Sequence, residues 1–257
     1  MGAFSNIYRY NLLFFIRTKR FSIMLPLALI ISLINTILIE IGIVQKPSSV
    51  YLFTEANLAY SEILFIILSS MFAGDLISRD FSREGLYMLT QPISREKIFF
   101  AKYLSAITAA LIIVSVYMLG VFGTSIALYN YLIPEWYEII FVSFLAILSL
   151  LAFVTLFSAV IKSPTISITI SIFFLLIIFP LIQQIMQDLK KSPFFIITYA
   201  LQIILVLAQP KIPNIDGITS PISAPPLNES IEVFIGYLIF GVVVSIIIYK
   251  KRQLNDI

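Results

Sequence analysis

Residues 139–186 read IIFVSFLAILSLLAFVTLFSAVIKSPTISITISIFFLLIIFPLIQQIM. Two apolar runs, 139–161 and 166–186, stand back to back, and neither carries a charge. Each is close to the roughly 20 residues that a helix needs to cross a bilayer. Only the short turn Lys162-Ser163-Pro164 and Thr165 lie between them. Outward from this pair the same kind of run recurs at 21–43, 58–78, 103–129 and 231–249. The expectation is an all-α polytopic membrane protein with six transmembrane helices in a single domain, 1–257. Composition agrees: the 257 residues are 60% hydrophobic and only 12% charged. Soluble domains carry about 25% charged residues, and half of that cannot cover a water-soluble globule.

Two stretches do not fit a simple span. In residues 4–20, Phe4, Ile7, Tyr8, Leu12, Phe15 and Ile16 alternate with Arg9, Arg17, Lys19 and Arg20. That pattern predicts an amphipathic helix, 1–20, lying in the membrane interface. Residues 194–208, FFIITYALQIILVLA, are too short for a span and predict a re-entrant segment before the last helix. Pro210, Pro213, Pro221, Pro225 and Pro226 make the following stretch a loop, so 187–230 reads as an outer re-entrant and loop region.

Basic residues set the topology. With the N-terminus inside, 13 of the 17 Lys and Arg fall in inner segments. The positive-inside rule then predicts a multi-pass protein of the cell membrane with both termini cytoplasmic. A seventh span at 194–208 would put Lys250, Lys251 and Arg252 outside, against that rule. The sequon Asn228-Glu229-Ser230 falls in the last outer loop.

Several chemistries are excluded. The chain has no Cys and no His, which removes disulfides, thiolate nucleophiles and Cys/His metal sites. It has no GxxxxGK[ST] phosphate cradle, so it cannot hydrolyse ATP itself. An intramembrane aspartyl protease would need a second in-span Asp beside Asp75. The expectation is a non-catalytic chain that binds no cofactor, metal or nucleic acid.

The densest charge cluster is Gly74 to Leu104, GDLISRDFSREGLYMLTQPISREKIFFAKYL. Pro92 ends any helix before it, and Ser94 can cap a new one with Glu96 in its first turn. A short helix near 81–91 would place Phe81, Gly85, Met88 and Leu89 on one side. A partner protein, the membrane surface or the ends of the bundle could cover that face. Within the spans, Asp75 stands one turn from Arg79 and can pair with it. Glu62 lies near the outer end of the second span, where it could contact substrate or an ion, or face outer water.

The loop resembles that of permease subunits in the type-two ABC exporter superfamily. The residues carrying the resemblance are Gly74, Asp80, Glu84-Gly85, Leu89, Pro92-Ile93-Ser94-Arg95 and Lys102. The acidic position is more often Glu in that family, and its usual Gly-Thr is Gly85-Leu86 here. The resemblance implies that 79–95 is a cytoplasmic coupling loop that seats in a separate ABC ATPase subunit, through Asp80, Phe81, Arg83, Glu84, Gly85, Met88, Leu89, Pro92 and Arg95. Lys162, Ser163 and Pro164 would make a second contact. Two ATPase copies would bind ATP and Mg. A second permease subunit, identical or related, would pair with this one. Glu62, Ser69, Ser70, Ser167 and Ser171 on the second and fifth spans would line the pathway and dimer interface. The sparse charge of the spans favours export of a hydrophobic or amphipathic substrate. The alternative is a secondary transporter or channel not driven by ATP, which the absence of an internal repeat disfavours.

Overall fold

The computed structural model describes residues 2–81, 93–210 and 225–252. Among them are helices and no strand, and six helices are long and apolar enough to cross a membrane. This is the build of a polytopic membrane protein, as the hydropathy predicts.

Helix α1 (Ala3–Arg17) ends where Thr18 turns extended, at φ −75° and ψ 150°. Helix α2 (Lys19–Glu40) follows at once. The predicted break at residue 20 therefore falls earlier, and Arg20 enters the first turn of the first long helix. The second apolar run starts well before residue 58. The Ser49 side chain accepts the Leu52 N–H and caps α3 (Val50–Leu58), and α4 (Ser61–Ala73) continues after a two-residue offset. A 3₁₀ turn, Ser78–Phe81, ends this stretch.

Helix α5 (Arg95–Tyr129) begins where Pro92 and Ser94 predict, although the Ser94 side chain makes no cap hydrogen bond. Its 35 residues span about 52 Å, some 20 Å more than a hydrocarbon core, so its first turns extend past the apolar zone. It stops at Asn130, whose φ of 50° is left-handed. Helix α6 (Trp136–Val160) and α7 (Pro164–Asp188) form the back-to-back pair. Within α7 the turn Phe174–Ile178 is π-helical. It lies just before Pro180, whose ring and missing N–H disrupt the α ladder at Leu176. Two five-residue helices, α8 (Ile197–Leu201) and α9 (Ile203–Leu207), meet at Gln202 and leave 194–208 too broken to span. Helix α10 (Leu227–Lys251) closes the fold. Its first turn contains the sequon, so Asn228 is helical rather than in a loop.

Burial ranks the helices. The stretch Val50–Phe81 has 78% of its most apolar window buried, against 17% for α2, α7 and α10. The second span is thus the core of the chain, and α2, α7 and α10 present apolar surface outward. Helix α10 packs along α6 through Ser230, Phe234, Gly241, Ser245 and Tyr249, a stripe at four- and seven-residue spacing. The Ser149 hydroxyl donates to the Phe234 carbonyl at 2.6 Å. A Cβ on Gly241 would lie 2.5 Å from the backbone of Ala152. Such close approach between small residues holds helices together where lipid offers no hydrophobic drive.

Candidate functional site

The described residues hold two concentrations of polar chemistry, at opposite ends of α4. The first surrounds its C-terminal end. Asp75 is 2% exposed and accepts from Arg20 at 3.0 Å and from Arg79 at 2.7 Å. Arg20 also donates to the Met71 carbonyl, and the Arg79 guanidinium lies 4.4 Å over the Phe14 ring. One carboxylate thereby ties α1, α2 and α4 together.

Five residues on, Asp80 is 1% exposed. It forms an ion pair with Lys102 of α5 and accepts the Tyr249 hydroxyl of α10 at 2.7 Å. The Ser158 hydroxyl of α6 accepts the backbone N–H groups of Ile77 and Ser78. The ring of Phe81 meets Tyr249 edge-on and lies under the Arg252 guanidinium, 4.1 Å away. Arg252 donates in turn to the Ala159 carbonyl that ends α6.

Arg95 completes this end. Its guanidinium donates to the carbonyls of Tyr249, Lys250 and Arg252, the groups that the C-terminus of α10 leaves without helical partners. Glu96 pairs with Lys250 beside it. Replacing Arg95 with Ala should fray the last turn of α10 at a cost of about 1–2 kcal/mol. Limited tryptic digestion reads this directly, as faster cleavage after Lys250 and Lys251. An unchanged cleavage rate would show that the carbonyls find other donors.

The second concentration is a cavity of about 380 Å³ at the N-terminal end of α4. Glu62 and Ile63 line one side. Leu176, Pro180, Gln183, Gln184 and Gln187 of α7 line another, and Gln202 comes from the joint between α8 and α9. The described residues include no group of three or more His, Cys, Asp and Glu that could hold a metal ion.

A family described as "Protein of unknown function (DUF2705)" matches residues 23–254, which is nearly the whole chain. The chain belongs to the DUF2705 family. No curated protein matches it. The match to DUF2705 runs from α2 past the end of α10 and so takes in both polar sites.

The residues of this DUF2705 chain that the sequence marks out as partner contacts fall into three groups. Asp80, Phe81 and Arg95, expected to contact a partner ATPase, each engage groups of this chain. Buried ion-pairing holds Asp80, ring packing holds Phe81, and helix capping holds Arg95. Arg83, Glu84, Gly85, Met88, Leu89 and Pro92 lie outside the described residues. Lys162, Ser163 and Pro164 do form the turn between α6 and α7, with Lys162 exposed and Pro164 opening α7.

Ser69, Ser70, Ser167 and Ser171 are all fully buried. Helices α4 and α7 pack on each other within the chain, and Gly74 abuts Ile168 there. Ser69 and Ser171 each satisfy a backbone carbonyl of their own helix. Asp75 pairs with Arg79 as its spacing predicts, but Arg20 is a partner that spacing cannot reveal. The glutamines around Glu62 are likewise new, since they come from α7 and from the joint between α8 and α9.

Proposed function

We propose that the chain is the membrane-spanning permease subunit of an ATP-driven ABC transporter, exporting a hydrophobic or amphipathic substrate under the drive of a separate ATPase subunit. The observation that carries this reading is the anchoring on both sides of segment 82–92. Before it, Asp80 is fastened to α5 and α10 through Lys102 and Tyr249. After it, Arg95 grips the end of α10. A load applied to the segment would pass straight into two spanning helices.

The order of elements supports the same reading. A separate α1 precedes six long apolar helices, and the pair α8 and α9 stands before α10. In this reading the charged end is cytoplasmic by the positive-inside rule. Helix α1 lies at the membrane interface, and α8 with α9 dips in from the outside. The surface for the ATPase narrows to 82–92, whose sequence sets Gly85, Met88 and Leu89 among charged residues, a mix that suits a partner's groove. The turn at Lys162 adds a second contact. Two ATPase copies bind ATP and Mg, and a second permease subunit, identical or related, completes the assembly in the cell membrane.

The test is co-purification in detergent with an ABC ATPase encoded beside this chain. Leu89→Arg should cut the recovered ATPase at least tenfold while the permease chain stays in the membrane fraction. Full recovery of the ATPase with Leu89→Arg would defeat the assignment. So would transport by reconstituted vesicles under an ion gradient without ATP.

A further inference from the structure

The geometry points to the cavity between α4, α7 and Gln202 as a binding site for a protonated amine carried on an apolar body. Glu62 stands in the first turn of α4 and is half-buried. Among the described residues nothing donates to its carboxylate, either as an ion pair or as a hydrogen bond. The side chains of Gln183, Gln184, Gln187 and Gln202 converge on the same space and make no hydrogen bond among the described residues. Five polar groups on three elements therefore face one cavity without satisfying each other. Gln183 is buried, Glu62 and Gln202 are half-buried, and Gln184 and Gln187 are exposed. A carboxylate at the depth of a spanning helix is a marker of function.

The lining selects the ligand. No Lys or Arg lines the cavity, so no basic side chain there competes for the Glu62 carboxyl. An ammonium group offers three N–H donors and no acceptor. The carboxylate of Glu62 takes one, and the carboxamide oxygens are acceptors for the others. Ile63, Leu176 and Pro180 form an apolar wall for the stem that bears the amine. At about 380 Å³ the space matches the lower range of small-molecule sites. A divalent metal ion is a poorer match, because one carboxylate with neutral amides supplies too little charge. The site is a property of the chain itself and stands whether or not an ATPase drives it. If the proposed export reading holds as well, it specifies the cargo as a cationic amphiphile.

The experiment uses the full chain in phosphatidylcholine nanodiscs and monodansylcadaverine, a fluorescent primary amine, as the probe. Saturable binding is expected, weakened at least tenfold by Glu62→Gln, the loss of one charge-assisted contact. Gln184 is exposed, so Gln184→Ala leaves folding intact and should weaken binding about threefold. The N-acetylated probe, which has lost its charge, should bind the native chain no better than the free amine binds Glu62→Gln. Weaker probe binding in nanodiscs containing phosphatidylethanolamine would support the amine chemistry and name a lipid headgroup as its source. Equal binding of the acetylated probe would overturn the proposal. Displacement of the probe by millimolar Mg²⁺ or Na⁺ at constant ionic strength would overturn it too. If Glu62→Gln aggregates, the acetylated probe on native chain and the Gln184→Ala variant decide the matter.

Discussion

Replacing Lys102 with Met is expected to destabilise the chain by about 3–5 kcal/mol, the cost of leaving a buried carboxylate without its cation. Asp80 is 1% exposed, and Lys102 is its one ion-pair partner among the described residues. The Tyr249 hydroxyl alone cannot neutralise it, because a neutral donor satisfies a lone pair without supplying charge. The loss should appear as a lower midpoint when the detergent-solubilised chain is unfolded with SDS. The double variant Asp80→Asn with Lys102→Met should recover most of it, because removing both charges also removes the desolvation penalty. A single variant as stable as the native chain would mean that Asp80 reaches water or a further cation. A double variant no better than the single one would mean that packing, not charge, governs the site.

The second large effect is expected at Gly241. A Cβ there would sit 2.5 Å from the carbonyl carbon and oxygen of Ala152 and 2.9 Å from the Phe153 nitrogen. These are backbone atoms, so no side-chain rotation can relieve the contact. Gly241→Val must push α10 away from α6 along the most extensive helix pairing in the described structure. It should cost at least about 3 kcal/mol, at the upper end of overpacking effects. Gly236 is the matched control on the same helix, because a Cβ there meets nothing within 4 Å. Gly236→Val should leave the SDS midpoint within about 0.5 kcal/mol of native, as an open surface position does. Similar losses in both variants would show that the helix backbone, not the contact with α6, is what glycine serves.

Much of this architecture is legible in the sequence because lipid imposes a simple rule on length and polarity. The six apolar runs predict the six long helices, and Pro92 with Ser94 predicts the start of α5. Boundaries are less legible where a local cap or pair sets them. Ser49 starts α3 before the apolar run becomes evident, and Thr18 stops α1 inside a run of basic residues. The site residues divide in the same way. Asp75 with Arg79 is readable from spacing along one helix. Asp80 with Lys102 and Tyr249 joins residues 22 and 169 positions apart, and one sequence alone carries no signal for such pairs. A weak clue did exist, for Asp80 and Lys102 are opposite charges at the two ends of one loop. Their mutual burial makes the pair an internal fastening between the 3₁₀ turn and α5.

The π-helical turn in α7 bears on how the amine cavity comes to exist. Ser167, Ser171, Leu175 and Gln183 are the buried positions of this helix, all at multiples of four residues. In an unbroken α-helix a four-residue rhythm drifts by about 40° at each step, so Gln183 would sit about 160° around from Ser167. One surplus residue in the turn Phe174–Ile178 takes back about 100° of that drift. It acts as a phase correction, rephasing the half that carries the glutamines with the half that packs on α4. Gln183 stays on the packed side of the helix, lining the cavity with Glu62, because this helix is one residue longer than regularity requires.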